Sequence, residues 1–465
     1  MSTSQQPEHY DTVVIGAGPG GRGTAGMLAQ AGQRVAMIES ELVGGECPYW
    51  ACIPSKTLLR PGEALAADRR VAGVGRGKIV WPAVVDYRDY MNSGLDDTGK
   101  VAAAEELGIE VLRGRGRIEG SGRVCVDGRI LSPRSLSAEH IVLATGTTAA
   151  IPALPGLGEI DYWTNREATS LREVPDSVIV LGGGPVGVEL AQMLHRFGAR
   201  VTLVHAGERL LEREHPSIGE LLAELLSAEG IAVRTAVQAV SVAKAGSDAG
   251  GVSLAFAGGE AIEAQRLVVA TGRRPRLHDL GLREVGVRCN ELGIEVDERC
   301  RAADGIWAVG DVTGVAPFTH VAAYQSRIAA ADILGERVLA DYRAIPRVVF
   351  GDPEIACVGI VPGEEGEGLL IAQAELSASD RTETYGCGLR GHLGLVAERE
   401  RGIVLGAWSI GPLASEWIHQ AGLAVQARIP LAVLAESIVQ FPTFSELFAG
   451  LARELHTQRT TSSGA

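Results

Sequence analysis

The sequence predicts an α/β protein with two similar βαβ halves followed by a separate α+β segment. Two observations carry this. Asp11-Thr-Val-Val-Ile-Gly16-Ala-Gly18-Pro-Gly-Gly21 is an apolar strand running into a glycine-rich turn, and Asp176-Ser-Val-Ile-Val-Leu-Gly182-Gly-Gly184-Pro-Val-Gly187 repeats the design. Eighteen residues separate Gly21 from Glu39, and eighteen separate Gly187 from His205, each at the end of the next strand. The composition agrees: 60 glycines without a short period, 46% hydrophobic residues and 5% aromatics suit close-packed α/β units.

The elements follow in order. After each turn the chain reads as helix, Ala25 to Gln30 in the first copy and Val188 to Phe197 in the second. Strands Arg34 to Glu39 and Arg200 to His205 come next. Each copy later has an apolar strand ending in Ala-Thr-Gly, at Thr145-Gly146 and Thr271-Gly272, and Gly305 to Asp311 is a third such strand. The simplest organisation inserts one dinucleotide-binding domain into another. That gives 1–150 and 275–341 as one Rossmann-like domain, 151–274 as the second, and 342–465 as the α+β unit. Pro152 and Pro155 mark the outward linker, and Arg273-Arg-Pro275 the return. In the last unit Ile345 to Phe350 and Gly402 to Ile410 read as strands, Ala414 to Ala427 and Leu431 to Val439 as helices. The polar tail from Thr457 is expected to fray.

With 465 residues the chain is long enough for about three domains. Forty-three basic against 57 acidic residues leave a net charge of −14, which disfavours nucleic acid as a partner. Met1 to Tyr10 lacks a charged start followed by an apolar core, and Leu423 to Val439 is interrupted by Arg428, Pro430 and Glu436. A cytoplasmic location without membrane attachment is expected. No metal site is called for. Cys125, Cys289, Cys300, Cys357 and Cys387 are scattered, expected as thiols in a reducing compartment.

The chemistry concentrates in three places. In Gly-x-Gly-x-x-Gly the first glycine permits the tight turn. The second lets backbone N–H groups approach a pyrophosphate, and the third lets helix and strand pack closely. Glu39 stands where a carboxylate accepts hydrogen bonds from a ribose. Two dinucleotide sites imply a nicotinamide coenzyme and a flavin that takes its hydride. Gly44-Gly-Glu-Cys47-Pro-Tyr-Trp-Ala-Cys52-Ile-Pro-Ser-Lys56 then sets two thiols five positions apart at the start of a helix, where they can meet as a disulfide and a thiolate is favoured.

With these motifs the chain resembles the pyridine nucleotide–disulfide oxidoreductases, the group of dihydrolipoamide dehydrogenase, glutathione reductase and mercuric reductase. The resemblance runs from about Tyr10 to Leu455 and includes Gly310-Asp311 and Phe-Pro-Thr-x-Ser-Glu near the C-terminus. It implies FAD at Gly16, Gly18, Gly21, Glu39, Gly45, Gly116, Thr145, Gly146 and Gly310, with Asp311 on the ribityl chain and Thr319 and His320 beside it. It implies NAD(P)H at Gly182, Gly184, Gly187, Glu189, His205 and Gly272. Cys52 would lie next to the flavin as its charge-transfer partner, and Cys47 would exchange with substrate. Lys56 would sit near flavin N5, paired with Glu189. A homodimer would share its active sites through the C-terminal unit.

Two departures qualify this. Disulfide-reducing relatives carry His before Pro-Thr, oriented by a Glu five residues later. This chain has Phe441, with Glu446 retained. Phenylalanine cannot supply the general acid–base step, worth roughly 10²–10⁴-fold. Phe there resembles 2-ketopropyl-coenzyme M oxidoreductase/carboxylase, although that enzyme has His where Glu446 stands. The tail has no cysteine pair and the N-terminus no metal-binding Cys motif, which disfavours mercuric reductase. The second departure is His205, where NAD-selective relatives are acidic. With Arg209 and Arg213 nearby, it leans the coenzyme toward NADPH. The expected activity is electron transfer from NAD(P)H through FAD and Cys47–Cys52 to a specialised disulfide or thioether. The alternatives are a quinone or oxygen reductase with bystander cysteines, and a dihydrolipoamide dehydrogenase-like subunit of a larger complex.

Overall fold

A computed structural model describes residues 7–128, 133–246, 251–361 and 368–462. The chain divides into two compact units, one of Met1–Pro54, Asp86–Ala150 and Gly272–Asp341, the other of Ser55–Val85, Ile151–Thr271 and Tyr342–Ala465.

The first unit is built on a parallel sheet in the order Ile306–Ala308, Arg134–Leu143, Glu8–Ile15, Val35–Glu39, Glu110–Arg113. All five residues of Val35–Glu39 are buried, as a parallel strand covered on both faces requires. Helix Pro19–Gln30 lies against helix Thr319–Ile333 so closely that a Cβ on Gly23 would come 2.6 Å from Ser326 Oγ.

The second unit contains a four-stranded parallel sheet, Ala232–Arg234, Arg200–Val204, Ser177–Leu181 and Arg266–Val269, with helix Pro185–Arg196 after its glycine turn. The hydrogen bonding of the first unit recurs here. Gly16 N–H donates to Ile38 O and Gly182 N–H to Val204 O, both at 2.8 Å. Ala144 N–H donates to Ile15 O and Ala270 N–H to Leu181 O, again at 2.8 Å. The repeat read from spacing is therefore a repeat of backbone geometry.

The C-terminal part of this unit is a five-stranded antiparallel sheet in the order Pro346–Val349, Glu354–Gly359, Ile403–Gly411, His392–Glu398, Leu369–Glu375. Helices His419–Gln426 and Ser445–Ser462 pack on it through Ala421, Ala424, Leu447, Phe448, Leu451 and Leu455. Three expected elements differ. The helix expected over 414–427 is split into Ala414–Trp417 and His419–Gln426. The helix expected to reach Val439 ends at Ala435, where the Arg453 guanidinium donates to Ala435 O and Ser437 Oγ to Leu434 O, closing the last turn. The tail is helical through Ser462 rather than frayed from Thr457, because Arg459 donates to the carbonyls of Arg399 and Glu400 at 2.9 and 3.1 Å. Residues 463–465 of that tail lie outside the described residues. Among the described residues no helix is long and apolar enough to cross a membrane.

Candidate active site

The three glycines of the first turn occupy three different environments. A Cβ on Gly16, whose φ is +105°, would stand 2.3 Å from Ala144 O, and one on Gly21 would stand 1.9 Å from Gly16 O. A Cβ on Gly18 would meet nothing within 4 Å. Gly16 and Gly21 thus close the turn, and Gly18 leaves an open face at the start of helix Pro19–Gln30. Open space above backbone N–H groups at a helix N-terminus is what a pyrophosphate requires. Glu39 is buried, its Oε2 accepting from Ala17 N–H at 2.8 Å and its Oε1 from Glu41 N–H at 2.7 Å.

The cysteine segment is joined to this turn. Gly44 N–H donates to Ala17 O at 2.8 Å, and Gly45, at φ +69°, lies so close that a Cβ would stand 2.9 Å from Gly18 Cα. The thiols do not share one helix as their spacing suggested. A one-turn helix, Glu46–Tyr49, ends at Trp50, whose φ of −134° leaves the helical region, and helix begins again at Cys52. Cys52 Sγ lies 3.5 Å from Thr319 Oγ1 at the start of helix Thr319–Ile333. His320, next to it, is exposed, and its ring stacks on Phe318 with centroids 5.1 Å apart.

Asp311 follows strand Ile306–Ala308 in a short 3₁₀ turn. Gly310 anchors that turn by donating its N–H to buried Gln325 Oε1 at 2.7 Å. Burial pushes the Asp311 carboxyl up; the Thr147 hydroxyl, donating to Oδ2 at 2.9 Å, and the Arg273 charge pull it back. Arg273 also donates to Thr147 Oγ1 and Thr147 O, at 2.7 and 3.0 Å. Thr145 Oγ1 donates to Arg276 O, and Arg276 N–H returns to Gly146 O. Thr147 and Gln325 were not marked by the sequence, and Arg273 only as part of the return linker, although Thr147 and Arg273 directly follow the two Ala-Thr-Gly motifs. Gly116 is in the sheet interior, where a Cβ would press on Ile15 and Ile38 at 3.0 and 3.1 Å. Gly272, expected with the coenzyme set, falls in this first unit and accepts Ala150 N–H.

In the second unit the glycine pattern returns. A Cβ on Gly182 would stand 2.2 Å from Ala270 O and one on Gly187 1.8 Å from Gly182 O, whereas Gly184 is open. His205 takes the place of Glu39: its Nδ1 accepts from Gly183 N–H at 3.2 Å, as Glu39 accepts from Ala17 N–H. Glu189, on helix Pro185–Arg196, accepts from Lys56 Nζ at 2.7 Å and from Phe350 N–H at 2.9 Å. The Phe350 ring stands under Lys56 Nζ, 4.9 Å from its centroid. Nothing in the sequence marked Phe350, because the edge strand Pro346–Val349 delivers it from 161 residues away. Phe441 is 70% exposed. Glu446 Oε2 accepts Thr443 N–H at 2.8 Å, so the carboxylate expected to orient an imidazole closes the first turn of helix Ser445–Ser462 instead.

These residues fit a flavin dinucleotide: the face open at Gly18, the carboxylate at Glu39 and the desolvated carboxylate at Asp311 are the partners such a group needs. Residues 10–326 match the family "Pyridine nucleotide-disulphide oxidoreductase", and residues 345–452 match its dimerisation domain. The chain belongs to this family of FAD-dependent oxidoreductases, which use NAD(P)H. It is 34% identical to a dihydrolipoyl dehydrogenase of Thermus scotoductus, covering 97% of this chain and 98% of that one. It is 32% identical to a mercuric reductase of Staphylococcus aureus, covering 94% and 81%. Among solved structures, the HOCl-induced flavoprotein disulfide reductase RclA from Escherichia coli matches with a TM-score of 0.84 and 26% identity over 96% of this chain and 99% of that one. LpdA from Mycobacterium tuberculosis matches with a TM-score of 0.84 and 28% identity over 96% and 99%.

Proposed function

We propose that this enzyme passes two electrons from a nicotinamide coenzyme at the Gly182–Gly187 turn to the Cys47–Cys52 couple. The acceptor is a specialised disulfide or thioether rather than lipoamide. FAD, bound by 1–150 and 275–341, supplies the relay between hydride and thiol chemistry. The coenzyme belongs to 151–274, and pairing of two chains to 342–465. In that last part Ile438 and Phe441 are both exposed, at 101% and 70%, and would be covered by the second chain.

The chain's own groups divide the work. Gly18 and Glu39 hold the dinucleotide, and Asp311 accepts a hydroxyl. Cys52, beside the Thr319 hydroxyl, is the thiol that receives the electrons. Lys56, one helical turn after Cys52, carries a positive charge kept in place by Glu189, and favours negative charge on the reduced ring. With a disulfide acceptor, Cys47 then attacks one sulfur, forming a mixed disulfide and expelling a thiolate. Cys52 attacks Cys47, releasing the second thiolate and restoring the Cys47–Cys52 disulfide.

The observation that carries the acceptor class is Phe441 before Pro442-Thr443, with Glu446 already bonded to Thr443 N–H. No imidazole protonates the leaving thiolate there. Acceptors whose thiols are acidic, and which leave without a proton, therefore suit the site. Anaerobic titration with NADPH and then NADH, followed by a panel of disulfides and quinones, tests this. Rapid oxidation of the reduced enzyme by an activated aromatic disulfide, against slow reaction with lipoamide, is the expected result. Oxidation by quinones that persists undiminished in Cys47→Ser and Cys52→Ser would make the cysteines bystanders.

A further inference from the structure

We propose that Glu212, folding back from the loop after strand Arg200–Val204, supplies the carboxylate that position 205 lacks and makes NADH the coenzyme. This rests on the reading that the Gly182–Gly187 turn takes the nicotinamide coenzyme, and it reverses the lean toward NADPH drawn from His205.

In the first unit Glu39 does two things at once: it accepts the turn's Ala17 N–H and places a carboxylate at the strand end. In the second unit these tasks are divided. His205 Nδ1 accepts from Gly183 N–H, the residue that, like Ala17, follows the first glycine of its turn. Gly183 must be glycine for the ring to lie there, because a Cβ would stand 2.7 Å from His205 Cγ. An acceptor at Nδ1 leaves the ring proton on Nε2, and Glu212 Oε2 stands 3.7 Å from that nitrogen.

Glu212 is itself held. Its Oε1 accepts Glu208 N–H at 3.1 Å, and its carboxylate covers Gly207. A Cβ on Gly207 would stand 2.1 Å from Oε1 and 2.5 Å from Oε2, so the negative charge fills the place a side chain would take. The Glu212 side chain is 48% exposed, leaving acceptor capacity for a ligand. A carboxylate beside the end of this strand accepts the ribose 2′- and 3′-hydroxyls of NADH and repels the 2′-phosphate of NADPH. Of the two arginines that offered a phosphate partner, Arg209 has its Cβ 3.3 Å from a Cβ placed on Gly219 and its charge bears on His215, while Arg213 is exposed in the same loop.

The test uses the flavin-loaded enzyme with anaerobic flavin reduction by NADH and NADPH. Calorimetric binding of AMP and of adenosine 2′,5′-bisphosphate accompanies it. NADH is expected to be favoured at least about tenfold, the scale of a hydrogen bond to a charged acceptor. Glu212→Gln should raise the NADH concentration for half-maximal reduction about tenfold, with the limiting rate kept, and should remove the discrimination against the bisphosphate. Gly207→Ala keeps the charge but displaces it, and should lower NADH affinity as Glu212→Gln does. Preference for NADPH in the wild type, or a Glu212→Gln enzyme with unchanged selectivity, would overturn the role of Glu212 alone. Failure of both nucleotides to bind and of both coenzymes to reduce the flavin would overturn the reading of the turn with it.

Discussion

Gly18 and Gly21 stand three residues apart and answer opposite demands. A Cβ at Gly21 would sit 1.9 Å from Gly16 O, a backbone atom that cannot swing aside. Gly18, at φ −68° in extended backbone, has room for one. Gly21→Ala should therefore cost stability, about 1–3 kcal/mol as overpacking, and lower the melting temperature of the protein stripped of FAD. Gly18→Ala should leave that melting temperature unchanged and weaken FAD binding, read by fluorescence titration. Equal losses of stability in both would mean that the open face at Gly18 is not a ligand face. At this scale the glycines were legible because only backbone geometry dictates them. Glu212 was not: a surface Glu in a loop has no local pattern, and the space over Gly207 exists only after folding. Thr147 and Gln325 were missed for the same reason, since their partners lie 164 and 15 residues away.

In the second unit a part-buried polar contact joins helix Pro216–Glu229 to strand His392–Glu398. Ser217 Oγ lies 2.8 Å from His392 Nε2 and 2.7 Å from His215 Nδ1, and the His215 ring stacks on Trp408 at 3.9 Å. Burial, with the neighbouring His215 adding to it, pushes His392 down to about 4 from its ordinary 6.5. The unfolded chain thus takes up this proton first as pH falls. The joint's contribution is intact above 6.5 and is lost progressively between 6.5 and about 4. Over that window the loss amounts to at most about 3 kcal/mol. Urea unfolding at pH 7 and at pH 5 should show it, and His392→Gln should flatten the difference. A variant that loses stability with pH as steeply as the wild type would remove His392 as the cause. The strands and helices on either side were readable from apolar periodicity. Their ends were set by partners distant in sequence, Arg453 on Ala435 O and Arg459 on Arg399 O, which periodicity does not contain.

For the whole molecule, the proposed acceptor class turns on Phe441, which in that proposal lies beside the other subunit's Cys47. Turnover of dihydrolipoamide should be poor, with flavin reduction by coenzyme unaffected. Phe441→His should raise dithiol–disulfide activity, by about 10²-fold, below the full range for a positioned base. The gain is held down because Glu446 already accepts Thr443 N–H and must release it to orient an imidazole. Steady-state assay with dihydrolipoamide measures this. Brisk wild-type turnover unchanged by the substitution would mean that another group moves the proton. The division into repeated nucleotide folds and a pairing segment was legible because each carries its own motif. The identity of the acceptor was not, since in the proposed function it depends on one aromatic ring and on what the second chain places around it.

The bond from Gly44 N–H to Ala17 O, and the seat of Gly45 against Gly18, also limit how this protein could be redesigned. The thiol loop is not a cassette. Grafting a different Cys-x4-Cys segment requires two consecutive glycines at the contact, because any side chain at position 45 lands on the phosphate turn itself. Variation in the thiol loop is therefore costly before Glu46, and beyond it Tyr49 must also be kept, because it is fully buried and its hydroxyl donates to Val43 O at 2.9 Å.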